Sequence, residues 1–145
     1  MMKALTIWQP WASLIAFSEK RIETRSWRTD YRGPLVIHAS KWWTPEQRAH
    51  CWQSPFAQAL LRHGVRTPND LPLGQVLCVV QLVDVGPVQQ VRPLTEQERA
   101  FGDYSPGRYA WRFDRVQLVR PHPAVGRQGL WKCSIALRQL EFESC

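Results

Sequence analysis

Within the stretch EKRIETRSW, Lys20, Glu23 and Arg25 set one carboxylate between two cations. A carboxylate so placed stays ionised and orients its neighbours. The cations can then meet phosphate oxygens while the carboxylate accepts a base amino group. The plainer alternative is a solvated charged strand whose ion pairs contribute little to stability. Trp27 bears on that choice, because in an extended strand it shares a face with Glu23 and Arg25 and offers a stacking platform beside them. Gln9 and Trp11 belong to a second unusual stretch, WQPW. Gln9 stands where a strand feeds a helix, so its amide could reach a base edge or an anion; the alternative there is a wedge of packed indoles. Arg28, Arg32 and Lys41 surround Tyr31 and Trp42, the interleaving of cations and rings that suits a single-stranded nucleic-acid surface.

Other chemistries have weaker footing. Ser26, Thr24 and Ser40 are hydroxyls near cations, but His38 has no evident Asp partner to make it a base. His38, His50, His63 and His122 lack ligand spacing, so neither a metal nor another cofactor is expected. A phosphate-cradling Gly-rich loop is missing as well. Cys51, Cys78, Cys133 and Cys145 show neither metal nor disulfide spacing and are expected as free thiols.

Composition points the same way. The chain has 145 residues, a net charge of +7 and eight tryptophans. That length suits a single domain over 1–145, and so many indoles exceed what a small core readily takes up. Residues 1–66 carry ten Lys or Arg against four Asp or Glu, whereas 67–145 carry nine against eight. Fifteen of the nineteen cations are Arg, whose planar fork fits phosphate and stacks on bases. RNA or another single-stranded nucleic acid is therefore the expected partner. The N-terminus lacks a signal peptide's apolar run and no stretch is long enough for a membrane helix, so a cytoplasmic protein with no membrane partner is the expectation, with a monomer as the default.

The elements that must position these residues follow from pattern. Residues 4–8 read as a strand. A helix over 10–17 begins with Pro10 in its first turn and carries Trp11, Leu14 and Ile15 on one face. In the next strand, 21–27, Glu23, Arg25 and Trp27 take one side and Ile22, Thr24 and Ser26 the other. A strand over 35–40 follows. The helix over 45–61 has Thr44 as cap and should be kinked or split at Pro55. Residues 75–85 form the strongest strand signal, apolar enough to be buried on both sides. A short helix over 93–101 has Thr95 and Glu98 in capping-box spacing, and strands over 108–119 and 130–140 complete the chain. Many short strands with few helices favour a small mixed barrel over a parallel sheet.

LTIWQPWASLIAFSEKRIETRSWRTDYRGPLVIHASK, residues 5–41, resembles the opening of the ASCH domain, a family of the PUA-like superfamily. FGDYSPGRYAW and GRQGLW resemble its later segments. The resemblance implies a mixed α+β fold, a small PUA-like β-barrel with flanking helices, and a role in nucleic-acid recognition. One bacterial branch hydrolyses the acetyl amide of N4-acetylcytidine with a Lys, a Thr and a Glu, and another relative is reported to cleave RNA. On that pattern Lys20 and Arg25 match the branch's Lys and Arg, while Glu23 stands in place of its Thr. Glu96, Glu98 or Asp103 could supply its Glu, and Ser18 stands where the family often has Gly. Three readings follow. The first is a module recognising single-stranded RNA, or a modified or flipped base, through Gln9, Trp11, Lys20, Glu23, Arg25 and Trp27, with Arg28, Arg32 and Lys41 on the backbone. The second is a hydrolase acting on RNA or on an acylated cytidine-type nucleoside, in which Lys20, Glu23 and Tyr31 would be catalytic. The third is a peptide-binding module. Whether the chain is an enzyme stays open at this point.

Overall fold

The computed structural model describes residues 2–91 and 94–134. Six strands lie in one sheet in the order β2-β5-β4-β3-β1-β6. They are β1 (Met2–Ile7), β2 (Ile22–Arg25), β3 (Gly33–Ala39), β4 (Gln75–Pro87), β5 (Tyr109–Pro123) and β6 (Leu130–Cys133). β1 and β3 run parallel and the other neighbours antiparallel. The period-two alternation of β1 and β3 divides the core. Leu5, Ile7, Leu35 and Ile37 join Ala12 and Ile15 of helix α1 (Trp11–Ala16), while Ala4 and Val36 turn to a second cluster with Val119 and Trp131. The central β4 is buried without a break from Val76 to Val80, as its unalternating sequence predicts.

The sheet does not close into the expected barrel. Its end strands are β2 and β6, and neither pairs with the other. The physical reason lies on the outer edge of β2, whose carbonyls already have partners that are not strands. Lys20 Nζ donates to Ile22 O, and Arg108 donates to Thr24 O at 3.1 Å. Two cationic side chains thus satisfy and block the edge that a closing strand would need.

The helices follow the sequence closely. Pro55 divides the expected 45–61 helix into α2 (Pro45–Cys51) and α3 (Phe56–Leu61), and Thr44 and Gln47 form a reciprocal capping box at the start of α2. Helix α4 (Glu96–Ala100) has Thr95 accepting from the Glu98 N–H. The Glu98 carboxylate accepts the Arg21 N–H at 2.7 Å, so this residue fastens α4 to the approach of β2. The first residue of the expected 93–101 helix, the end of the 130–140 strand and Cys145 lie outside the described residues. Cys51, Cys78 and Cys133 are free and buried. Among the described residues no helix is long and apolar enough to cross a membrane.

Candidate functional site

The end of α1 decides where the K-x-x-E-x-R cluster goes. Ser18 N–H bonds to Ile15 O and Glu19 N–H to Leu14 O, each at 3.0 Å, and Ser18 takes φ +61°. This is a Schellman ending, with serine in the left-handed position that usually falls to glycine. The turn therefore keeps its geometry despite Ser18, and it sends the chain back beneath the helix, where Lys20 N–H also reaches Leu14 O at 3.1 Å.

Lys20 is consequently fully buried. Its ammonium donates to Ile22 O and to Phe101 O, the latter at 3.2 Å, and lies 3.5 Å from Glu23 Oε1. Glu23 in turn meets Arg25 Nε at 3.2 Å, and Arg25 donates to Thr6 O at 2.7 Å. The predicted alternation holds in β2: Ile22 and Thr24 are buried, while Glu23 and Arg25 are partly exposed. The cluster is thus a relay from core to surface. Lys20 anchors Glu23, Glu23 aims Arg25, and Arg25 faces open space.

Two adjacent cavities meet at Thr6, Trp8 and Arg25. The first, of about 490 Å³, has Trp8, Trp11, His50, Phe56 and Phe101 as aromatic walls and Glu23, Arg25, Asp103 and Arg108 as its charged groups. Trp11 meets His50 and Phe56 edge-on, with ring centroids 5.1 and 5.9 Å away. Asp103 lies 3.5 Å from Arg108 Nε, and the Asp103 N–H donates to Thr24 Oγ1 at 3.0 Å. Hydrogen bonds from the Ser105 hydroxyl and N–H, with Arg108 nearby, hold the Asp103 carboxyl below the usual range. The second cavity, of about 850 Å³, is lined by Trp8, Arg25, Trp27, His38, Lys41 and the 123–129 loop.

That loop is fastened from below. His38 and Ala124 O are 2.7 Å apart at Nε2, and a carbonyl can only accept, so Nε2 carries the proton. Burial lowers the His38 pKa, the bond to Ala124 opposing it, and keeps the ring neutral. Its Nδ1 then accepts from the Thr6 hydroxyl at 3.2 Å, whose oxygen accepts from Trp131 Nε1 at 3.0 Å. Gly126 sits directly over the pair: a Cβ there would come within 2.7 Å of both Thr6 Oγ1 and His38 Cε1.

The structure therefore sorts the sequence-predicted residues. Trp11, Glu23 and Arg25 line the first cavity, and Arg25, Trp27 and Lys41 the second. Gln9 is fully buried and its amide is occupied, donating to Ser13 Oγ and Pro72 O and accepting the Ser13 N–H. It locks the β1–α1 corner. Arg28 pairs with Asp30 at the surface, and Arg32 donates to Thr29 O and Tyr31 O of its own loop. Tyr31 donates to Pro34 O, with Lys3 over its ring, and lines neither cavity. Lys20, Glu23 and Tyr31 thus do not converge on one cavity. Of the three acids weighed for the remaining role, only Asp103 lines the first cavity. Thr6, His50, Phe56, Arg108 and Arg127 line the cavities without having been named as site residues; Thr6, Arg108 and Arg127 had a sequence signal, lying inside the 5–41 block, FGDYSPGRYAW and GRQGLW. Among the described residues no three His, Cys, Asp or Glu side chains group as a metal site would need.

An open six-stranded sheet with one helix across its face and a split helix beside the groove defines a small α+β module. Residues 5–125 match the ASCH domain, and the chain belongs to that family, which is generally associated with nucleic acids. It is 32% identical over 136 residues to activating signal cointegrator 1 of Homo sapiens, and equally to that of Mus musculus. The match covers 93% of this chain but 23% of those proteins, so the chain spans about a quarter of the length of these relatives. Its fold is similar to that of the crystal structure of ASCH from Zymomonas mobilis, with TM-score 0.54, 14% identity, and 92% and 88% of the two chains covered. A single-residue variant of the Zymomonas protein superposes at TM-score 0.51 with 15% identity, over 92% of this chain and 89% of that one.

Proposed function

We propose that this ASCH domain is a nucleic-acid-binding module that takes single-stranded RNA, or one flipped or modified base, into the groove crossed by Trp8. The observation that carries the reading is the placement of Trp8 itself. Trp8 is 54% exposed at the junction of two cavities that Arg25 also lines. An indole left in water next to a fixed cation offers a base a stacking surface and its phosphate a partner. The hydrolytic alternatives have less support than binding: Lys20 touches Glu23 but is itself fully buried with its ammonium on Ile22 O and Phe101 O, and Tyr31 is bonded to Pro34 O away from the groove. The groove is built by one chain, so a monomer suffices for this reading, and we place its action in the cytoplasm.

The test is titration of a fluorescently labelled single-stranded RNA with the intact protein and with Trp8→Ala. Loss of a base–aromatic stack of about 1–3 kcal/mol lowers affinity about 5- to 150-fold without loss of folding. Affinity should also fall with salt by a log–log slope of about −0.7 for each phosphate contacted. Unchanged affinity in Trp8→Ala, or a salt-insensitive complex, would refute the reading and favour a peptide ligand.

A further inference from the structure

The two cavities differ in charge in a way that their shared residues do not. The first opposes two guanidiniums, Arg25 and Arg108, to two carboxylates, Glu23 and Asp103, between aromatic walls. It is electrically balanced, with acceptors and donors side by side. The second contains Arg25, Lys41 and Arg127 and no carboxylate among its lining residues, while its histidine, His38, is held neutral by burial. Three cations there line a common space, and among the described residues Arg25 alone of them pairs with a carboxylate, Glu23.

The cationic cavity is also built before any ligand arrives. Its floor is fixed by the bond from His38 to Ala124 O and by the Ala124 N–H to Gly74 O at 3.1 Å. Gly126 lies on Thr6 and His38 with no room for a Cβ. The loop that carries Arg127 is thus seated on a hydrogen-bonded base, and its backbone has little ordering left to do on binding.

Resting on the nucleic-acid reading above, we infer that the groove is bipartite: the first cavity receives a nucleobase, and the second is an anion subsite for the phosphate attached to that nucleoside, held by Lys41 and Arg127. A nucleotide has this division of charge, an uncharged aromatic edge rich in donors and acceptors joined to an anion. Trp8 and Arg25 are common to both cavities, so the stacking surface and the cation of the reading above lie where base and phosphate would join. The balanced cavity suits a base because each carboxylate can accept an N–H while the neighbouring guanidinium donates to a ring oxygen or nitrogen. The cationic one suits phosphate because charge-assisted bonds from Arg and Lys are the stronger kind and meet no competing carboxylate.

Calorimetric titration of the four ribonucleosides, their 5′- and 3′-monophosphates and a dinucleoside monophosphate tests this division. We expect at least one phosphate-bearing ligand to bind about tenfold or more tightly than its nucleoside, a gain of about 1.4 kcal/mol. Lys41→Ala and Arg127→Ala should remove that gain and leave nucleoside affinity unchanged. Both side chains are exposed, so folding should be retained, and circular dichroism checks it. A gain seen with the monophosphates identifies a terminal phosphate, and one confined to the dinucleoside monophosphate identifies a phosphodiester; either supports the subsite. Equal affinity for nucleoside and nucleotide, or a gain that survives both substitutions, overturns it. If RNA strands bind but no mononucleoside or mononucleotide does, the bipartite assignment falls and the wider reading stands. If RNA fails as well, both fall.

Discussion

Replacing Lys20 by Met separates a structural lysine from a ligand-binding one. The Lys20 ammonium is fully buried against two backbone carbonyls and Glu23, whose side chain is 12% exposed. Methionine fills most of the same space but donates nothing. Ile22 O and Phe101 O then lose a donor, and Glu23 keeps only Arg25 at 3.2 Å. Breaking a buried ion pair costs about 3–5 kcal/mol, and the retained Arg25 contact puts this variant at the lower end, about 3 kcal/mol. For a chain of this size each kcal/mol moves Tm by about 2–4 °C, so we expect a fall of about 6–12 °C. The assay is thermal unfolding at neutral pH of the intact protein, Lys20→Met, Glu23→Gln and the double variant. In the double variant the Glu23 carboxylate is already gone, so its loss of stability should be smaller than the sum of the two single losses by about 1–2 kcal/mol. A Tm change of less than about 2 °C for Lys20→Met would refute the argument, since no buried, satisfied ammonium can be removed so cheaply. Retained stability with loss of RNA binding would instead place Lys20 at the ligand.

Other perturbations test neighbouring parts of the same scaffold. Glu19 is held down to about 2, chiefly by its hydrogen bond from Arg62 and also by His63 and Gln97, against the opposing effect of burial. Its contribution is therefore complete above about pH 4.5 and is lost as pH falls toward about 2; acid titration of Tm should show this loss in the intact protein and a flatter profile in Glu19→Gln. Burial raises the pKa of Glu98, against the Arg21 N–H and Lys20, so folding disfavours its ionised form relative to the unfolded chain and this group costs more stability as pH rises. Glu98→Gln keeps an oxygen for Arg21 and should raise Tm more at pH 8 than at pH 4. Ser18→Gly relieves a left-handed serine at φ +61° and should raise stability by about 0.5–1 kcal/mol in chemical denaturation, the relief being offset in part by the freer unfolded chain. Gly126→Ala must displace Thr6 or His38, and a loss of about 1–3 kcal/mol is expected in the same assay.

These tests concern positions that sequence reasoning located in the chain but often misassigned in space, and the difference is physical. Alternation in β2 was legible because the strand is half-buried and a period of two leaves no other arrangement: Glu23 and Arg25 face outward because Ile22 and Thr24 face in. The split at Pro55 and the Thr44 cap were legible because proline geometry and helix capping are local. Lys20 was not, because its long stem follows the Schellman turn inward and its partner Phe101 O lies 81 residues away. Gln9 was misread for the same reason, its amide being taken by Pro72 O, 63 residues on. Both were placed at the ligand because a polar side chain beside aromatic residues looks available until its distant acceptors are known.

The barrel expectation failed at an edge, and that failure bears on the groove. Counting strands says how many there are but not what meets the last one. Here Arg108 bonds to Thr24 O on the outer edge of β2 and also lies 3.5 Å from Asp103 in the lining of the first cavity. One guanidinium thus ends the sheet and lines the candidate site. A strand laid along β2 to close a barrel would have to displace Lys20 and Arg108 from the edge carbonyls and would occupy the side from which Asp103 and Phe101 reach the cavity. The edge of the open sheet is held by Lys20 and by Arg108, and Arg108 also lines the first cavity. Arg108→Met should accordingly do two things that substitution of a purely ligand-facing residue would not: lower stability, through the unpaired Thr24 carbonyl, and weaken nucleoside binding, through Asp103 losing its partner. Unfolding and nucleoside titration on the same variant measure both. Loss of only one would separate the edge from the cavity and refute the link between them.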